Sequence, residues 1–119
     1  MSIGTNLNNN NLNMVIDTVS IAAAGTTSNA IDLQGRALVN ISTPSAISGA
    51  AFTFQSSYDG VAYQQCVSQG GGAVTVTCAA AKNVSVDPIL LSGVRYVKLV
   101  RDNAQAAKKL IKVISRNVD

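Results

Sequence analysis

The stretch from Ala50 to Val67 constrains the fold of this chain more than any other. Its two phenylalanines, Phe52 and Phe54, stand two residues apart and alternate with Thr53 and Gln55. A strand sends successive side chains to opposite faces, so one face collects the rings and the other the polar atoms. After Ser56-Ser57-Tyr58-Asp59-Gly60 the residues Val61, Tyr63 and Val67 resume an apolar pattern, and Asp-Gly between two such runs is a strong hairpin signal. Two antiparallel strands are expected, joined at a tip made of Tyr58, Asp59 and Gly60, with Val61, Tyr63 and Val67 as the apolar face of the second.

The same alternation recurs along the chain. Val15, Val19 and Ile21 alternate with Thr18 and Ser20 and predict a strand that ends at Gly25-Thr26-Thr27-Ser28. Ile31 and Leu33 share a face of a short second strand, and Gln34-Gly35 turns the chain. Ala37, Val39 and Ile41 make a third set, closed by Pro44, which cannot donate to a sheet ladder. Gly70-Gly71-Gly72 allows a tight reversal, after which Val74, Val76 and Cys78 return. Val84 and Val86 form a short strand stopped by Asp87-Pro88, and the run Pro88 to Gly93 suits one helical turn. Arg95 to Arg101 reads as a strand, and Asp102-Asn103 as a turn.

From Ala104 onward the pattern is ambiguous. Ala107, Leu110, Ile111 and Ile114 fit a helix face, while Ile111 and Val113 also fit strand alternation. A chain of about eight short strands separated by turns needs a partner for its open edge, which favours a final strand there. The fold class expected is all-β: an antiparallel β-sandwich, jelly-roll-like, with an extended N-terminal arm. The core should be thin and aliphatic, because Trp is absent and aromatics are few.

Residues 1–13 set the domain organisation. The segment NLNNNNLN is of low complexity, without an apolar period or enough hydrophobic area to hold itself down. It is expected to be an Asn-rich arm that orders only against a neighbouring chain, with Ile3, Leu7 and Leu12 as apolar anchors. Residues 14–119 form one β-sandwich domain, long enough to bury a core.

Composition narrows the chemistry. All six acids are aspartates, and the chain has no Glu and no His, so the commonest general base and metal ligand are missing. Ser56 and Ser57 have no histidine to activate them, and neither Cys66 nor Cys78 can form a Cys-His pair. The Gly70 cluster lacks the Gly-Lys-(Ser/Thr) ending of a phosphate loop. Asp59 and Asp87 would be the acids available for paired-carboxylate or calcium chemistry, but Asp-Gly and Asp-Pro turns account for both. No catalytic, cofactor or metal site is therefore expected.

The formal net charge is +3, and Arg95, Lys98, Arg101, Lys108, Lys109, Lys112 and Arg116 crowd the last quarter. Such a stripe suits an acidic partner or nucleic acid, yet only Tyr96 interleaves with it. A solvated edge of late strands is the expectation, and nucleic-acid binding is not. No secretory signal and no membrane-length apolar run is visible, so synthesis on the cytoplasmic side, no membrane association and two free thiols are expected, with Cys78 a small core residue.

Phe52-Thr53-Phe54-Gln55-Ser56-Ser57-Tyr58-Asp59-Gly60-Val61-Ala62-Tyr63, followed by Gly93-Val94-Arg95-Tyr96-Val97-Lys98-Leu99, resembles the two signature strands of galactose-binding-like (discoidin-type) β-sandwich domains. The resemblance implies that these strands pack side by side, that Asp59 and Gly60 make the turn, that Tyr63 and Tyr96 lie under it, and that Arg95 flanks the late strand. The run from Ala30 to Arg101 is also similar to small structural proteins of tailed bacteriophages. That likeness implies a non-enzymatic virion protein made in the host cytoplasm, of the capsid decoration (cement) type, oligomeric and bound to the major capsid protein or other virion proteins. The alternative is a carbohydrate-binding module of a phage tail or adhesin, whose ligand loop would be Tyr58, Asp59 and Gly60. An exposed Tyr58 ring would stack on a sugar, although a turn tyrosine more commonly packs on its own sheet.

Overall fold

The computed structural model describes residues 14–91 and 93–117. The arm, with Ile3, Leu7 and Leu12, lies outside the described residues. Among those described, the regular elements are all strands: β1 (Met14–Ile21), β2 (Ile31–Asp32), β3 (Ala37–Ser42), β4 (Ala51–Ser57), β5 (Gln64–Gln65), β6 (Val76–Thr77), β7 (Asn83–Ser85), β8 (Tyr96–Arg101) and β9 (Lys109–Arg116). They form two antiparallel sheets, one in the order β1-β9-β3-β7 and the other β2-β8-β4-β5, with β6 also paired to β4. The chain passes repeatedly from one sheet to the other, the jelly-roll-like β-sandwich that the alternating pattern predicts.

The core lies between the two inner faces. Phe52 and Phe54 of β4 are fully buried there with Val97 and Leu99 of β8, and they meet Val19, Ile21, Leu38, Ile41, Ile111 and Val113 from the other sheet. The tail is a strand, and Ile111 and Val113 face inward as alternation requires. Its position differs from the expectation: β9 covers no edge but lies inside its sheet, between β1 and β3.

Three further departures have local causes. Val39 does not share a face with Ala37 and Ile41, because a β-bulge between Leu38 and Asn40 shifts the register and turns both Leu38 and Ile41 inward. In the hairpin after β4 the parity is opposite to the predicted one. Ser56 pairs with Gln64 on the Phe54 side, so Gln64 and Cys66 take the inward face while Val61 and Val67 are exposed. Cys66 packs against the core, Cys78 is buried within it, and both are free thiols. The Pro88 segment makes turns rather than a helix, beginning with a hydrogen bond from Leu90 N to Asp87 O, and it drops Leu91 into the core.

Arg101 is the largest correction. Expected on a solvated edge, it is the bulkiest fully buried side chain among the described residues. Its Nε donates to Ser48 O at 2.8 Å, Nη1 to Cys78 O at 2.7 Å and Nη2 to Gly49 O at 2.6 Å, and the guanidinium carbon lies 4.6 Å from the centre of the Phe52 ring. Gln105, also buried, completes the knot by donating to Ser48 O and Asn103 O and accepting from Ser48 N. Gly49 has φ 95°, and a Cβ there would run into the Asp102 carboxylate and the Arg101 guanidinium.

Replacing Arg101 with Met keeps much of the volume and orphans the buried carbonyls. Chemical denaturation is expected to show a loss of about 3 to 5 kcal/mol, as for removing one partner of a buried polar network. Phe52→Ala should cost a similar amount through its cavity. Wild-type midpoints for Arg101→Met would refute the role assigned to the knot.

Candidate functional site

The two strands singled out by resemblance do lie side by side. β4 and β8 pair from Phe52 opposite Arg101 to Ser57 opposite Tyr96. Alternation sends Thr53, Gln55 and Ser57 outward with Tyr96, Lys98 and Val100, so the outer face of this sheet carries aromatics and cations next to one another. Lys98 Nζ lies 4.3 Å from the centre of the Tyr63 ring, and the Arg95 guanidinium 5.1 Å from that of Tyr96. Tyr63 therefore interleaves with the basic residues in space although it is distant from them in sequence. Arg95 also forms an ion pair with Asp32, 3.0 Å between Nε and Oδ1. That bond, first among the causes, holds the Asp32 carboxyl below its usual range and raises Arg95.

The tip is built by Ser57 and Asp59. Ser57 Oγ donates to Asp59 Oδ1 at 2.8 Å and accepts from the backbone N–H of Asp59 and Gly60. Asp59 Oδ1 in turn accepts from Val61 N at 2.9 Å and Ala62 N at 3.1 Å. These backbone donors, Val61 first, then Ala62 and the Ser57 hydroxyl, lower the Asp59 pKa. Gly60, at φ 79°, sits over the edge of the Tyr96 ring. Tyr96 thus lies under the turn as the resemblance implies, while Tyr63 is held against Lys98; burial, ahead of the nearby Tyr96 and Asp59, pushes the Tyr63 hydroxyl up.

Of the three predicted loop residues, Asp59 and Gly60 are thus structural fasteners. Tyr58 is different: its side chain does not pack on its own sheet but is 92 % exposed. It stands at the rim of a shallow cleft of about 270 Å³, lined also by Ser56, Ala62, Gln64 and Gln65. A planar ring beside amide and hydroxyl groups can stack on and hydrogen-bond a polar ligand. Sequence reasoning missed Ser57, although Ser-x-Asp before Gly is the spacing at which a hydroxyl and a carboxylate bond back to a turn. It also missed the Tyr63–Lys98 contact, which depends on the hairpin parity.

No protein-family model matches the chain, and no curated protein matches it. Among solved structures it is similar to the Yersinia pseudotuberculosis-derived mitogen, at 11 % identity over 90 % of this chain and 87 % of that one, with a TM-score of 0.43. It is also similar to a CBM32-1 domain from a family 31 glycoside hydrolase of Clostridium perfringens, at 17 % identity over 85 % of this chain and 76 % of that one, with a TM-score of 0.41. Likenesses of this size bear on neither ligand nor partner.

The tip gives a titration test with a definite sign. A carboxylate whose folded pKa is depressed stabilises the structure above its unfolded value of about 3.9, and that contribution is lost as pH falls through the folded value. Proton NMR of the Val61 and Ala62 amides should therefore show a shared transition with its midpoint below about 3.9. Asp59→Ala should abolish the transition and speed hydrogen exchange at both amides. A midpoint at or above the ordinary value would mean that the carboxylate does not hold the loop.

Proposed function

We propose that this chain is a non-enzymatic structural protein of a bacteriophage virion, a capsid decoration (cement) protein that attaches to the head shell through its β-sandwich and the arm of residues 1–13. The sequence resemblance to small phage structural proteins suggests the setting. The observation that carries the reading is how the acids are spent. Four of the five aspartates among the described residues fasten the fold by hydrogen bonds: Asp32 holds Arg95, Asp59 straps its own loop, Asp87 accepts from Ile89 N and Asp102 accepts from Ala50 N; the fifth, Asp17, faces Arg36 at 4.0 Å with a buried Oδ2 that accepts no hydrogen bond. Polar groups engaged in this way make a rigid block that binds by its surface. The partners on this reading are the major capsid protein or other virion proteins, and further copies of the chain.

An arm that orders on docking adds contacts at an entropic cost, which is tolerable when the domain already holds it close. Mass spectrometry of purified particles should find the chain in stoichiometric amounts, and removing residues 1–13 should weaken particle occupancy by about tenfold or more while leaving the domain folded. Absence from purified particles would overturn the reading.

The exposure of Tyr58 beside its cleft favours one second reading, a carbohydrate-binding module of a phage tail or adhesin. On that reading a glycan array shows discrete signals that Tyr58→Ala weakens by about tenfold. A blank array disposes of it.

A further inference from the structure

The first strand has an edge that is half filled. In an antiparallel pair, alternate residues turn their backbone N–H and C=O groups toward the partner and the others turn them away. Ser20 of β1 turns away from β9, because its N–H donates to Asn29 Oδ1 at 2.8 Å and its C=O accepts from Asn29 N at 3.3 Å. Met14, Ile16 and Thr18 share its parity, and β1 is the terminal strand of its sheet. Their main-chain groups therefore face outward, and no described residue pairs with them on that side.

The side chains there are also unlike an ordinary edge. Ile16 is 66 % exposed, Met14 is exposed beside it, and the register sets Ile16 across from Ile114 of β9. Among the described residues this outer face carries Lys112 and Arg116 on β9 but no acid, since Asp17 points inward toward Arg36. An edge that is apolar, free of bulges and unpaired invites an added strand.

We propose that the open half of the β1 edge takes residues 3–7 of a second copy of this chain as an added strand, so that copies are linked by exchange of their leaders. The inference rests on the assembly role proposed above and names the surface that links the copies. Ile3, Thr5 and Leu7 repeat with the spacing of two that matches Met14, Ile16 and Thr18. Residues 1–13 contain no charged side chain, so they can lie beside Lys112 and Arg116, whereas a second copy of this cationic face would be repelled. The leader joins the domain at Met14, beside the edge itself, and thirteen extended residues span about 43 to 47 Å, enough to reach a neighbour. Main-chain bonding would supply the affinity, and Ile3, Thr5 and Leu7 set against Met14, Ile16 and Thr18 the register, with Thr5 opposite Ile16 and the two apolar residues on either side of it.

Sedimentation velocity of the full-length chain tests this. Wild type should show a species of at least twice the protomer mass that grows with concentration. Ile16→Pro removes an outward N–H without touching the ladder to β9, and extended backbone accommodates proline there. It should weaken association about tenfold or more, with an unchanged thermal midpoint. Thr18→Pro, which faces the same way, repeats the test if Ile16→Pro unfolds. The double variant Ile3→Ser, Leu7→Ser should weaken association similarly, and a labelled synthetic peptide of residues 1–13 should compete. A monomer at every concentration overturns the proposal, as does an oligomer indifferent to both proline variants. So does a monomer whose Met14, Ile16 and Thr18 amides resist hydrogen exchange, because its own leader would then occupy the edge. A wild-type chain that is monomeric at every concentration yet present on particles would sink this inference alone, and wild-type oligomers that both proline variants weaken, in a chain absent from particles, would sink the proposed function alone.

Discussion

A charged group in the middle of a protein is costly to desolvate, and it persists only where hydrogen bonds surround it. Arg101 meets that condition by gathering carbonyls from two separate loops, Ser48 and Gly49 before β4 and Cys78 after β6, while its aliphatic stem and plane pack against Phe52. Burial pulls its pKa down, but a guanidinium starts so high that it keeps its charge. The loops at this end of the sandwich have little regular structure of their own. They are placed by one side chain and by Gln105 and Asp102, which tie the same backbone from the other side. Because the guanidinium that satisfies these carbonyls lies against the Phe52 ring, the polar knot and the phenylalanine layer pack as one unit.

The opposite end is built on a different principle. Here the half-buried Arg36 bridges Ser115 and the Asp32 carbonyl across the gap between the sheets, and the exposed Arg95 joins Asp32 to the face of Tyr96. Exposed pairs of this sort contribute little stability each. Their effect is positional, since they hold the start of β3, the end of β2 and the Tyr58 loop in a fixed relation.

How much of this was legible in the sequence follows from where period-2 alternation is informative. The Phe52 and Phe54 strand, the Ile111 and Val113 strand and the turns at Gly25 and Gln34 are all where the pattern predicts. It fails where one residue is inserted or a loop length changes the parity. The bulge at Val39 and the loop before Gln64 each move a hydrophobic set to the other face, and neither carries a local signal strong enough to be read in advance. Arg101 is instructive in another way. Alternation from Val97 and Leu99 puts it on the inner face, yet its charge argued for solvent; the geometry of the strand overruled the chemistry of the side chain. At the tip, turn chemistry gave Asp59 and Gly60, but not that Ser57 would organise them or that Tyr58 would stand clear.

The placement of β9 bears on how the protein comes into being. It is the last strand among the described residues, and it lies between β1 and β3, each of which pairs with it and not with the other. The layer of β2, β8, β4 and β5 can assemble only once the chain has been made as far as Arg101, and the other layer stays open until β9 follows and zips it shut. One layer can therefore be complete while the other waits, and in that interval the unpaired strands of one copy can meet those of another.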